Sequence, residues 1–268
     1  MQPQLVIGTL RFCIDYCRLN AVTRKDVYPL PRIEDLLDQL SGKRIFSTLD
    51  ARTGYWQIRM EEKSVEKTAF VSMDGLYEFR VMPFGLCTAP VTFQRLMQKA
   101  LRGLPFCSVF IDDIIVFLDS MDAHLEHLKQ MFDRLRQIRL KLHPQKCCFM
   151  YPEVPFVGHI VSATGIRSNL DKVRAVREFR VPTNVKMVRE FLGLEGYYRK
   201  LIPNFVKVAM ALHDLTKQGA SFVWTTLCQE AFDPPKDRLV SAPVLAYPCF
   251  TKPFVLHTDA WCRIGSSS

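Results

Sequence analysis

The chain has 268 residues, enough to bury a sizeable core as one large domain or two modest ones. Hydrophobic residues make up 48% and charged residues 24%, which excludes a disordered polymer; no stretch approaches the roughly 20 consecutive apolar residues of a membrane span, and the first residues lack the basic start and apolar run of a signal peptide. The lack of both makes an intracellular setting, cytoplasmic or nuclear, the expectation, and the uneven formal charge of +9, with ten Lys or Arg against four acids between residues 167 and 207, makes a polyanionic partner expected.

Ile33, Leu36, Leu37 and Leu40 recur at helical spacing, and Ser41-Gly42 ends that helix. Arg44 to Asp50 then alternates, with Phe46, Thr48 and Asp50 on one face of a strand that delivers Asp50 at its end. Thr88, Ala89 and Pro90 open a second helix whose expected buried stripe is Phe93, Leu96, Met97, Ala100 and Leu101; Gly103 and Pro105 close it. Ser108 to Phe117 is an apolar run broken only by Asp112 and Asp113, the pattern of a hairpin with acids at its tip. Ser120 is a good N-cap for a third helix, with Leu125, Leu128, Phe132, Leu135 and Ile138 as its core face.

After a turn at His143-Pro144, Val154 to Val161 reads as a strand, and helices at about 170 to 180 and 184 to 192 carry most of the basic excess. Pro234-Pro235 falls in the first turn or interior of a later helix. Helices and strands follow one another without regular βαβ alternation, so the fold class is α+β. The nine cysteines are odd in number and form no Cys-x-x-Cys pair, which fits reduced thiols, and the six histidines are expected to be structural or solvated.

Two adjacent aspartates inside an apolar hairpin need a physical reason, because desolvating unpaired carboxylates costs several kcal/mol each. One reading is a solvated turn, where Asp is common. The other is a divalent cation held by hard oxygen ligands, with Asp50 completing the cluster and Mg²⁺ the preferred ion. Two such ions can activate an attacking hydroxyl and stabilise a leaving pyrophosphate.

Residues Phe110-Ile111-Asp112-Asp113 resemble the aromatic-x-Asp-Asp hairpin of reverse transcriptases, and Phe46 to Tyr55 resembles the strand that carries their third carboxylate. Val81 to Pro90 is similar to the template and nucleotide loop of the gypsy class. Arg11 to Tyr16, Leu19-Asn20, Phe191 to Leu194 and Tyr197-Tyr198-Arg199 also match that class. From about Arg11 to Ala260 the chain thus resembles the reverse transcriptases of gypsy-type LTR retrotransposons.

The resemblance implies a right-hand fold of fingers, palm and thumb that performs RNA-directed DNA synthesis from dNTPs on a primed RNA or DNA template. It implies a fingers and palm region over residues 1–165, a thumb-like segment over 166–207 and a connection over 208–250. Residues 251–268 would hold the start of a ribonuclease H-like domain. Asp50, Asp112 and Asp113 would be catalytic and hold two Mg²⁺ ions, or Mn²⁺, with the Ala51 carbonyl as a further ligand. Arg11, Tyr55, Phe84 and Gly85 would contact the nucleotide, Tyr55 as the residue that crowds the sugar 2′ position. Lys146 is a candidate general acid toward pyrophosphate, and Arg174, Arg177 and Lys186 would grip phosphates.

Departures from the pattern set up the alternatives. Met1 to Leu10 lacks the Lys-Lys-Asp-Gly type of strand expected before Arg11, and Cys17 stands where the class usually has arginine. A catalytically dead, nucleic-acid-binding remnant is therefore the second reading. Asp259 resembles the first ribonuclease H carboxylate, yet no Asp or Glu follows it in the sequence, so ribonuclease H activity is not expected of this chain. Oligomeric state is not encoded in these features.

Overall fold

A computed structural model describes residues 4–6, 9–198, 205–217, 219, 221–240 and 245–247. Asp259 and the whole of 251–268 lie outside the described residues. In chain order the elements begin with β1 (Gln4–Val6), β2 (Thr9–Arg11), α1 (Cys17–Val22) and α2 (Ile33–Asp38). There follow β3 (Ile45–Asp50), a tight helical turn at Gly54–Gln57, α3 (Glu62–Val65), and the hairpin β4 (Phe70–Ser72) and β5 (Gly75–Tyr77). Next come α4 (Ala89–Ala100), β6 (Cys107–Phe110), β7 (Asp113–Leu118), α5 (Met121–Gln137) and β8 (Cys148–Tyr151). The last elements are β9 (Glu153–Phe156), β10 (His159–Ser162), β11 (Gly165–Ser168), α6 (Leu170–Arg177), α7 (Val185–Tyr197), α8 (Phe205–Asp214) and α9 (Thr226–Val240).

Four antiparallel strands in the order β6-β7-β3-β8 form the central sheet, and a three-stranded sheet runs β11-β10-β9. Side chains alternate across a strand, and here both faces are covered. Leu49, Ile114 and Val116 enter one core with Phe93, Met97, Leu128 and Met131 from α4 and α5. Phe46, Ile115 and Phe117 enter another with Leu36, Leu37 and Leu40 from α2 and its end, and with Val154 and Phe156 from β9. Each fully buried Phe stabilises the fold by about 1.5–3 kcal/mol. Val173, Val188, Phe191, Leu212 and Phe232 make a separate helical core from α6 to α9.

Sequence periodicity placed the elements well and their faces less well. On α4, Leu96 is 38% exposed and Gln94 is buried in its place, because the strand end beneath the helix offers backbone polar groups that an amide can satisfy. On α5, Leu125 and Ile138 are exposed, and the buried row is His124, Leu128, Met131 and Leu135. That row keeps the spacing of 4, 3 and 4; it starts from a histidine because Ser47 Oγ meets His124 Nε2 at 2.7 Å inside the core. Burial holds the His124 pKa below the ordinary 6.5.

The expected strand from Val154 to Val161 is instead a hairpin, with Val157 at φ 41 and Gly158 at φ 70 forming its turn. Two left-handed residues in succession are the I′ pattern, and valine in the first place conceals it from a reading based on Asn-Gly or Gly-Gly. Helix α7 runs on to Tyr197, past the expected end near 192. The Pro234-Pro235 pair lies in the interior of α9, eight residues beyond its start at Thr226.

Candidate active site

Backbone pairing brings the three aspartates to one end of the sheet. Asp50 ends β3 and is the register partner of Asp113, which begins β7; Asp112 lies in the two-residue turn just before it. Ala51 N–H donates to the Asp112 carbonyl at 3.1 Å, and His143 N–H donates to the Asp50 carbonyl at 2.9 Å. Ile111, the first turn residue, has φ 53, a left-handed value that a β-branched side chain rarely adopts. Gln94 holds it there: the buried amide accepts from Ile111 N–H at 2.6 Å and donates to the Val109 carbonyl at 3.1 Å.

Gly54 supplies the floor under Asp112. A Cβ at this position would lie 2.0 Å from Asp112 Oδ1 and 3.2 Å from Phe93 Cζ, so only glycine leaves room for the carboxylate. Lys146 stands beside the acids, its Nζ 3.5 Å from Asp50 Oδ2. Among the described residues no three acids, cysteines or histidines form a ready-made metal cluster. The donors present at this corner are all oxygens, the type that hard divalent cations take, and Lys146 already answers one of the negative charges.

An aromatic wall follows on the loop beyond Asp50. The Tyr55 ring lies 5.3 Å from Phe84 and 5.8 Å from Phe93, and Trp56 lies 5.6 Å from Phe84. Burial, with the Asp112 charge as a second cause, pushes the Tyr55 phenol up to about 12, so it stays neutral at physiological pH. Gly85 has φ 97, and a Cβ there would sit 3.1 Å from the Ile14 carbonyl. Asn20 of α1 clamps this loop, donating to the Gly85 carbonyl at 2.8 Å and accepting from Cys87 N–H at 2.9 Å. Arg11 closes β2.

Across the acids, the Val157-Gly158 turn and Phe156 share a pocket of about 200 Å³ with Asp50, Asp113 and Lys146. Two tyrosines from the end of α7 fix that turn: Tyr197 OH donates to the Val157 carbonyl at 2.5 Å, and Tyr198 OH to the Gly158 carbonyl at 3.2 Å. Burial, then Tyr198 and Asp113, push the Tyr197 phenol up to about 12. Arg174, Arg177 and Lys186 are exposed on α6 and α7, and Arg174 Nε pairs with Glu178 Oε1 at 2.8 Å. The structure thus brings Asp50, Ala51, Asp112, Asp113, Tyr55 and Lys146 to one corner, with Phe84 packed on Tyr55 and Gly85 beside it. The three basic residues stand apart on their own helices.

This arrangement of strand end, acid hairpin and aromatic loop has relatives. The reverse transcriptase (RNA-dependent DNA polymerase) family matches residues 3–161, more than half of the chain. The chain belongs to the reverse transcriptase family. A second match, to the RNase H-like domain found in reverse transcriptases, covers residues 224–265 and so begins ahead of the 251 boundary that the sequence resemblance suggested. The chain is 43% identical over 253 residues to the retrovirus-related Pol polyprotein from transposon 297 of Drosophila melanogaster, covering 93% of the chain and 24% of that protein. It is 42% identical to the polyprotein from transposon opus of the same species, and 35% identical to the transposon Tf2-3 polyprotein of Schizosaccharomyces pombe. The chain therefore spans about a quarter or less of the length of these polyproteins.

Solved structures agree on the fold. The foamy viral protease-reverse transcriptase bound to double-stranded DNA superposes with a TM-score of 0.81 at 23% identity, over 91% of this chain and 44% of that one. The same viral protein with an RNA/DNA hybrid gives 0.77 over 90% and 33%. The chain has the right-hand polymerase fold, and no helix among the described residues is long and apolar enough to cross a membrane. Two features of the site escaped sequence reasoning. Gln94 was invisible because a lone glutamine on an amphipathic helix carries no signal, and the tyrosine clamp was invisible because its partners are backbone carbonyls 40 residues away.

Proposed function

We propose that this chain is the polymerase segment of a transposon polyprotein and catalyses RNA-directed DNA synthesis from dNTPs on a primed template. The observation that carries this reading is the direct cross-strand pairing of Asp50 with Asp113, with Asp112 in the adjoining turn and Lys146 within 3.5 Å of Asp50. The regions follow as fingers and palm (1–165), thumb (166–207), connection (208–250) and the start of a ribonuclease H-like domain (251–268).

Asp50, Asp112 and Asp113, with the Ala51 carbonyl, would hold two Mg²⁺ ions, or Mn²⁺. When bound, such ions lower the pKa of a 3′-hydroxyl and offset charge developing on the phosphoryl oxygens. The protein's own groups do the rest. Phe84 and Phe93 wall in the Tyr55 ring, which supports its role in crowding the ribose 2′ position, and Gly85 would let the loop backbone approach the nucleotide. Arg11 pairs with the triphosphate, a role suited to a forked guanidinium. As the 3′-hydroxyl gives up its proton to solvent and its oxygen bonds to the α-phosphorus, the α–β phosphoanhydride bond breaks and its electron pair leaves with pyrophosphate, which takes a proton from the Lys146 ammonium. Arg174, Arg177 and Lys186 hold duplex phosphates without reading sequence.

Purified chain, an oligo-dT primer on a poly-A template, dTTP and Mg²⁺ test the reading. Template-dependent extension is expected, with Tyr55→Ala admitting ribonucleotides. Binding of the duplex without any extension would favour the nucleic-acid-binding remnant instead.

A further inference from the structure

Along the loop that leaves Asp50, three cations line a pocket with no carboxylate in its lining. Arg52, Arg139 and Lys141 line one pocket of about 530 Å³ with Thr53, Trp56 and Gln57. Among the described residues none of the three forms an ion pair; the acids nearby in sequence are engaged elsewhere, Asp50 with Lys146 and Asp133 with Arg136. Like charges drawn to one pocket repel, and that repulsion is relieved by an anion.

The pocket is built rather than incidental. Arg52 N–H donates to the Lys141 carbonyl at 3.0 Å. The Gln57 amide stitches the same two segments, donating to the Arg52 carbonyl at 2.6 Å and the Lys141 carbonyl at 2.9 Å, and accepting from Lys141 N–H at 2.7 Å. Two of its six residues are left-handed: Thr53 at φ 52, and Arg139 at φ 57 just past the C-cap of α5, where glycine is the default. A left-handed residue with a side chain is strained, and strain of this kind collects at binding sites.

We propose that this pocket binds a diphosphate group, and that its ligand is the pyrophosphate released by nucleotidyl transfer. The assignment of source rests on the polymerase reading: the pocket adjoins the Asp50–Tyr55 loop on which that reaction takes place, and the leaving group is a multiply charged anion. A free nucleoside diphosphate carries the same group and adds a base, for which the partly exposed Trp56 ring offers a stacking surface.

Calorimetric titration of inorganic pyrophosphate into the full chain, without divalent metal, tests the proposal. One site is expected, weakened more than tenfold in the Arg52→Gln, Arg139→Gln, Lys141→Gln triple variant. Arg139→Gly should weaken binding while raising thermal stability, since it removes a charge and relieves the left-handed strain together. Asp112→Asn should bind pyrophosphate as the parent does. Equal binding by the parent and the triple variant overturns the pocket, even if primers are extended. Loss in the triple variant with no primer extension by the parent upholds the pocket and removes the polymerase reading. ADP binding more than tenfold tighter than pyrophosphate, or an oligonucleotide displacing pyrophosphate at lower phosphate concentration, overturns the assignment to the leaving group.

Discussion

Two tight turns flank the catalytic corner, and each puts a β-branched residue in the left-handed region: Ile111 at φ 53 and Val157 at φ 41. They are held from different places. The Ile111-Asp112 turn is locked by Gln94 and floored by Gly54, both within the body that carries the sheet. The Val157-Gly158 turn is held by Tyr197 and Tyr198 from the end of α7, a helix whose Val188 and Phe191 lie in the helical core. The difference teaches that the acids sit on a fixed turn, whereas the surface facing them is coupled to the helices that would grip the duplex. On the polymerase reading proposed above, position of the reacting groups and hold on the substrate would be governed by separate parts.

The largest break in that comparison is expected from Gly54→Ala. Its Cβ must displace the Asp112 carboxylate, and a shift on the order of 1 Å at a reacting group costs about 10²-fold in rate. Single-turnover extension should fall by that order, with a thermal midpoint that moves little. Next is Gln94→Leu, which removes the partners of Ile111 N–H and the Val109 carbonyl. Each buried backbone group left unsatisfied costs about 1–3 kcal/mol, so both stability in urea and extension rate should drop. An unchanged rate would show that the turn holds itself.

Tyr197→Phe should act on the opposite turn and on binding. Losing one neutral hydrogen bond, about 0.5–1.5 kcal/mol, should weaken duplex affinity a few-fold and leave the single-turnover rate at saturating duplex nearly unchanged. A rate effect as large as that of Gln94→Leu would erase the distinction between the two turns. The smallest effect concerns pH. His159, packed on Tyr197 and Tyr198, is held by burial below the ordinary 6.5. Because the folded value lies below the unfolded one, stability is full above about 6.5 and falls as the pH drops toward the folded value. Thermal melts between pH about 7.5 and about 5.5 should show this loss, and His159→Phe should reduce it.

The element order and the acid positions were legible in the sequence because they rest on periodicity and turn chemistry. Asp50 at a strand end and Asp112-Asp113 at a hairpin tip both stand where spacing put them. Faces were less legible. Gln94 and His124 are buried because particular partners, the Ile111 turn and Ser47, are folded against them, and no local pattern announces a partner far along the chain. The Val157-Gly158 turn was hidden for a related reason: its left-handed valine is held by Tyr197 and Tyr198, which donate to the Val157 and Gly158 carbonyls from 40 residues away. Resemblance supplied what periodicity lacked, namely the roles proposed for Tyr55, Phe84 and Lys146.

The central claim is that the three carboxylates drive synthesis and do little for substrate binding. Asp112→Asn keeps the shape of the side chain and removes its charge, so it separates the two. Primer extension and duplex affinity should be measured on the same preparation of this variant. The expected result is extension lowered at least about 10³-fold, as for loss of an essential metal ligand, with duplex affinity within a few-fold of the parent chain. Near-parental extension by Asp112→Asn would contradict the account.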